Sequence, residues 1–268
     1  MDEALKMLAS DSDGKLLAGG QSLVPSMKLR LAAPSSLVDI SSLPELKGIK
    51  EEGANLVIGA GVTHSEIEKS AAVKKHAACL AQCASLIGDV MIRNRGTIGG
   101  SVAHADPAAD YPGVLVALGA KIKLKSAKGS RDVDASQFFT GFFETALNEG
   151  EIVHQIIVPS HAGWKSGYVK FPNPASRYPI VGCAVLLKMN GATCEDARVG
   201  FSGVSYAAFR DTAVEKGLKG KSLDAAAAKA AGNAAAEGCE ILEDSSAGTD
   251  YRKAMAKQFA TRGIQALL

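Results

Sequence analysis

Two glycine-rich segments constrain this 268-residue chain more than any other feature. The first reads Ala18-Gly19-Gly20-Gln21-Ser22-Leu23-Val24-Pro25. The second reads Arg95-Gly96-Thr97-Ile98-Gly99-Gly100-Ser101-Val102-Ala103-His104-Ala105-Asp106-Pro107. Each places a Gly-Gly pair beside small hydroxyl residues and next to an apolar stretch. A residue without a Cβ lets backbone amides turn toward a ligand and come close to it. Runs of such amides bind anions, phosphate above all. Two segments of this kind suit the two phosphates of one dinucleotide, held from both sides. The Gly-x-Gly-x-x-Gly fingerprint of doubly wound folds is absent, and neither segment ends in Gly-Lys-Ser/Thr.

Around these segments the pattern alternates short strands and helices. Lys15–Ala18, Leu37–Ile40 and Asn55–Ala60 read as strands, and Leu23–Leu31 as a helical turn or a strand. Thr63 with Glu66 forms a capping box for a helix over 64–70. Ala71–Ile87 is Ala-rich and helical by composition. Asp106-Pro107 reads as the N-cap and first position of a helix, although Pro112 leaves a start near Asp110 as the alternative. A hairpin follows over 120–125 and 129–133, then a β-branched strand, Ile152–Val158, as the last strand of a first domain. Pro159, Ser160 and Gly163 mark a boundary. Beyond it, Gly167–Phe171, Ile180–Met189 and Cys194–Phe201 read as strands, the last two joined by an Asn190-Gly191 turn. Phe209–Gly217, Ser222–Gly238 and Thr249–Leu268 read as helices. The order predicts an α+β domain whose antiparallel sheet is covered on one face.

Composition narrows the partners. Net charge is +2 with acids and bases interspersed, so no basic stripe points to nucleic acid. No apolar run reaches the ~18 residues of a membrane span. Met1–Ser10 is an amphipathic helical pattern without a basic leader or an apolar segment, which reads as cytoplasmic. Cys79, Cys83, Cys183, Cys194 and Cys239 are scattered; their spacing fits neither a zinc site nor an iron–sulfur cluster.

Residues 18–30 and 93–110 resemble the two FAD motifs of the medium, flavin-binding subunits of molybdenum hydroxylases. That family includes the carbon monoxide dehydrogenase medium subunit and the FAD domain of xanthine dehydrogenase. The likeness continues through Phe138–Phe143, Glu151–Pro159 and Tyr168–Val185, and so covers nearly the whole chain. It implies an α+β fold: a two-lobed FAD-binding domain of the vanillyl-alcohol-oxidase/PCMH type over 1–160. A C-terminal domain with a three-stranded antiparallel sheet and helices follows over 164–268. Family members carry a further strand and turn before the helix that Met1–Ser10 resembles, so the edge of the first small sheet is expected to lack that strand. The resemblance also implies partners: a large molybdenum–pterin subunit and a small subunit with [2Fe–2S] clusters, in a heterotrimer or a dimer of heterotrimers. FAD in this chain would take electrons from those clusters and pass them to a quinone, NAD, a cytochrome or oxygen.

For the site, the resemblance implies cofactor contacts from Ala18, Gly19, Gly20, Gln21, Ser22 and Leu23, and from Thr97, Ile98, Gly99, Gly100 and Ser101. It adds Asp110 as acceptor from an adenosine ribose hydroxyl and Tyr178 as the aromatic cover of the flavin. Chemically, amides of Gly19–Ser22 and Thr97–Ser101 would meet the pyrophosphate, with the Ser22, Thr97 and Ser101 hydroxyls as further donors. Gly20→Val and Gly99→Val are then expected to behave alike, each losing FAD from a folded protein. Asp110 also suits a plain role at a helix N-terminus, and Tyr178 that of a packing residue at a sheet edge. Arg93 and Arg95 suit either the phosphates or the support of the loop, and His104 a structural hydrogen bond. No catalytic residue or metal ligand is expected in this chain. Two other readings stay open: a self-contained FAD-linked oxidase or reductase of the same broad fold, and a binding protein without its flavin.

Overall fold

In the computed structural model, which describes residues 1–268, the first glycine segment ends a short strand and the second opens a helix. Helix α1 (Asp2–Ser10) buries Ala4 and Leu5. Strand β1 (Lys15–Leu17) pairs in parallel with β2 (Leu37–Asp39), and α2 (Leu23–Lys28) lies in the crossover. Of the two forms open to residues 23–31, the structure has the helix.

The second lobe is a five-stranded antiparallel sheet in the order β3-β4-β9-β5-β6. Its strands are β3 (Ile49–Glu52), β4 (Asn55–Gly59), β5 (Lys121–Ser126), β6 (Gly129–Asp134) and β9 (Ile152–Pro159). The β-branched run of β9 is thus the middle strand, with Ile156 and Val158 fully buried. The expected capping box starts α3 (His64–Lys69): Glu66 N–H donates to Thr63 Oγ1, and Thr63 N–H to Glu66 Oε2 at 2.7 Å. The helix expected over 71–87 is two helices, α4 (Ala71–His76) and α5 (Ala78–Ser85). Buried Ala77 adopts φ −154° between them and turns the chain, which alanine content does not reveal. Next come α6 (Val90–Arg93), α7 (Ile98–His104) and α8 (Asp110–Leu118).

Helix α8 starts at the later of the two positions open to it. Ala109, not Asp106, is its N-cap, and the Asp106 carboxylate instead accepts from Ala108 N–H at 2.8 Å. Pro112 then falls in the first turn, where its missing N–H breaks no helical bond. After the hairpin, α9 (Ala135–Phe138) and the small pair β7 (Phe139–Gly141) and β8 (Glu144–Thr145) were not legible in the sequence pattern.

The C-terminal sheet has four strands rather than three: β10 (Lys165–Pro172), β11 (Pro179–Asn190), β12 (Thr193–Ser202) and β13 (Phe209–Arg210). Phe209, expected in a helix, pairs with Phe201, and their rings stack 5.6 Å apart. The helix begins later, as α10 (Thr212–Leu218), capped by Asp211 and followed by α11 (Ala225–Gly232) and α12 (Thr249–Gln265). This sheet is covered on both faces, not one. Along β11, Val181, Cys183, Val185 and Leu187 enter the core under α10–α12, while Ala184 and Leu186 join the core of the first domain. Helices α5 and α8 pack on that second face. The docked sheet lets a C-terminal loop reach the glycine segments.

Candidate functional site

A cavity of about 800 Å³ opens between the two lobes and the loop before β11. Its walls include the whole stretch from Ala18 to Leu23, then Thr97, Gly99, Gly100, Ser101, Asp110 and Tyr178. Ile98 is the exception among the expected residues. Its side chain is fully buried in the core and does not line the cavity.

The two glycine segments contribute unequally. In the first, no acceptor within the protein takes the amides of Gly19 through Leu23. Gly20 sits at φ +72°, a conformation that bends this row of N–H groups into one concave turn. In the second, the amides are already used. Ile98 N–H donates to Val62 O, Gly99 N–H to Ala60 O at 2.8 Å, Gly100 N–H to Thr97 Oγ1 and Ser101 N–H to Thr97 O. Within this segment only Thr97 N–H is without a protein acceptor, with the Thr97 and Ser101 hydroxyls beside it. The segments touch directly: a Cβ on Gly19 would run into the Arg95 carbonyl. Arg93 supports this arrangement from behind, through Glu68 at 3.1 Å and the Ile87 carbonyl.

Charged groups gather at one end. Asp110 is buried, and its carboxylate accepts from Tyr168 Oη at 2.8 Å and pairs with Lys170 Nζ at 2.9 Å. Burial raises its carboxyl to about 6, against the opposing pull of Lys170. Protein groups therefore reach both oxygens, and Asp110 is the centre of a buried charge network in the first turn of α8 while it also lines the cavity. Tyr178 faces the cavity from the C-terminal domain. Burial, followed by the charge of Asp106, pushes the pKa of its phenol up. Residues from both domains thus close on the first glycine segment.

Two site residues were not legible beforehand. His64 lines the cavity, bonds Tyr111 Oη at 3.0 Å and is pushed down to about 4 by burial, so its ring is neutral at neutral pH. Its backbone N–H also holds Gly96 O. Lys170, the counter-ion of Asp110, lies sixty positions away in a mostly half-buried strand. No short-range pattern links either residue to its partner.

The family described as the FAD binding domain in molybdopterin dehydrogenase matches residues 1–161, and the CO dehydrogenase flavoprotein C-terminal domain matches 166–267. The chain belongs to this family. It is 40% identical over 268 residues to the carbon monoxide dehydrogenase medium chain of Hydrogenophaga pseudoflava, covering 98% of this chain and 93% of that one. It is 42% identical to the glyceraldehyde dehydrogenase medium chain of Sulfolobus acidocaldarius, over 84% of this chain and 80% of that one. Among solved structures, the Hydrogenophaga pseudoflava carbon monoxide dehydrogenase superposes with a TM-score of 0.94 at 41% identity, covering 99% of this chain and 93% of that one. Quinoline 2-oxidoreductase from Pseudomonas putida 86 gives 0.94 at 33%, covering 100% and 93%.

As an FAD-binding member of this family, the chain has a donor set suited to its cofactor. A diphosphate needs many weakly cationic donors and no bulky side chain, which is what the unpaired amides around Gly20 offer. An aromatic face beside them suits a flat ring. Among its titratable groups, no three His, Cys, Asp or Glu converge as a metal site. No helix is long and apolar enough to cross a membrane.

Proposed function

We propose that this chain is the electron-transfer subunit of a cytoplasmic molybdenum hydroxylase. It would stand between a small [2Fe–2S] partner and an external acceptor, with substrate turned over on a large molybdopterin partner. Bound FAD supplies the ability to exchange electrons singly and in pairs. The chain's own residues hold and shield it. Gly19–Leu23 donate their amides to the pyrophosphate, the Thr97 and Ser101 hydroxyls close it from the other lobe, and Tyr178 covers the ring. Residues 1–160 form the cofactor domain, and 164–268 the domain that brings Tyr178 over it.

The observation that carries this reading is the row of unpaired amides on a cavity lined from both domains. The match of both halves of the chain to molybdopterin dehydrogenase flavoprotein domains favours a relay over a self-contained oxidase. Purification of the chain with its two partners is expected to give a yellow complex that oxidises a substrate. The isolated chain is expected to turn over no alcohol, aldehyde or N-heterocycle. Strong turnover by the chain alone would establish the self-contained oxidase instead. Tyr178→Ala is expected to keep FAD but to change how fast the reduced protein reacts with oxygen. Unchanged spectra and reoxidation would return Tyr178 to packing.

A further inference from the structure

Asp106 is a motif residue that the proposed function leaves without work. It does not cap α8, yet its side chain lines the FAD cavity. Ala105, at φ +49°, forms a left-handed corner between His104 and Asp106, and both neighbours line the cavity. This corner is the left-handed C-cap that ends α7 and turns the chain toward Asp106. The Asp106 carboxylate has one protein donor, Ala108 N–H on Oδ1, and forms no salt bridge, although the nearby His104 favours its charged form when protonated. Asp110, four residues on, has Lys170. An ionisable carboxylate with no salt bridge thus faces the cavity. The groups around it are His104 at the end of α7, Asp110 with Lys170 beyond it, and the Tyr178 phenol with Ser22.

The geometry points to Asp106 as the residue that couples proton uptake to reduction of the flavin. The inference rests on the electron-transfer reading above. A reduced flavin carries more negative charge than an oxidised one unless protons match the electrons, and an unpaired carboxylate nearby opposes that charge. Asp106 relieves the conflict by taking a proton from solvent when two electrons arrive from the iron–sulfur partner. The ring takes a second proton, so two electrons and two protons enter together. Partial burial already pushes the Asp106 carboxyl up in the protein without flavin, which brings this uptake toward neutral pH.

The test is a redox titration of the flavin in the assembled complex across the acid-to-neutral range. The wild-type midpoint potential is expected to fall with pH by one proton more per two electrons than the ring alone requires. Asp106→Asn, which keeps the acceptor for Ala108 N–H, is expected to lose that extra proton and to shift the neutral-pH potential upward at full FAD occupancy. Asp106→Glu is expected to restore the slope. Superimposable curves for wild type and Asp106→Asn would overturn the proposal, as would loss of FAD from both Asp106 variants, which would make the residue a support of the cavity. A wild-type complex purified without FAD defeats the underlying reading as well, and is recognised by its colour before any titration.

Discussion

Gly99→Val is expected to leave little folded protein, whereas Gly20→Val is expected to leave a folded protein without FAD. A Cβ at position 99 would fall 2.7 Å from the Ala60 carbonyl and closer still to the Ala60 Cβ. Neither atom is the far end of a flexible side chain. Ala60 follows β4, and its N–H is bound to His154 O of β9 at 3.0 Å, so the central sheet would have to shift. The Gly99–Ala60 hydrogen bond would break as well. We expect a loss of about 3 kcal/mol or more, at the upper end of overpacking. At position 20 the added carbons meet the tips of Val24, at 3.1 Å, and Leu17, at 3.3 Å, which can move. The cost there is mainly the left-handed backbone, about 1–2 kcal/mol. The chain survives that, but the amide row loses its curvature. Thermal melts and flavin absorbance on the two variants check this. A Gly99→Val protein that melts like the wild type but is colourless would make the second segment a direct phosphate ligand.

The sequence treats the two segments as equivalent because glycine spacing reports only that backbone comes close to something. It does not say to what. At Gly20 the open side of the turn is the cavity; at Gly99 it is Ala60, just after a strand thirty-nine residues earlier in the chain. Local signals are legible where they are self-contained. The Thr63–Glu66 capping box and the β11–β12 hairpin, whose turn is Gly191-Ala192 and so one residue later than Asn190-Gly191, need only neighbours in sequence. Features settled by distant packing were not. The break at Ala77, the strand at Phe209 and the second covered face of β11 depend on partners far along the chain. The cavity was legible as a set of residues, although the Ile98 side chain turns into the core instead of lining it. What each residue bonds was not, and Asp110 shows why. Its place at the start of α8 is written in the local sequence, but its charge is set by a lysine on another domain's strand.

That dependence gives the second large effect. Lys170→Met is expected to destabilise the protein by about 1–2 kcal/mol more near neutral pH than in acid, because it leaves a buried carboxylate without its cation. Lys170 Nζ lies 2.9 Å from Asp110 Oδ1 and also donates to the Leu86 carbonyl at 3.0 Å, with both side chains only 5% exposed. The loss is expected to depend on pH in a definite direction. In the wild type, burial outweighs the lysine and lifts the Asp110 carboxyl from 3.8 to about 6. The folded state then binds this proton more tightly than the unfolded chain, so the contribution of Asp110 to stability declines as pH rises between those two values and is level above them. Without Lys170 the same burial acts unopposed, the folded-state value moves higher, and the decline continues further toward neutral pH. The gap between variant and wild type should therefore be widest at neutral pH and narrow on acidification, where the neutral carboxyl no longer needs a cation. Adding Asp110→Asn to Lys170→Met should recover much of the loss at neutral pH, since the double variant has no buried charge at this site. Urea unfolding of both variants, at mildly acidic and at neutral pH, reads all of this. A Lys170→Met deficit that is the same at both pH values, and is not relieved by Asp110→Asn, would mean that the lysine matters for its packing against α5 and not for its charge.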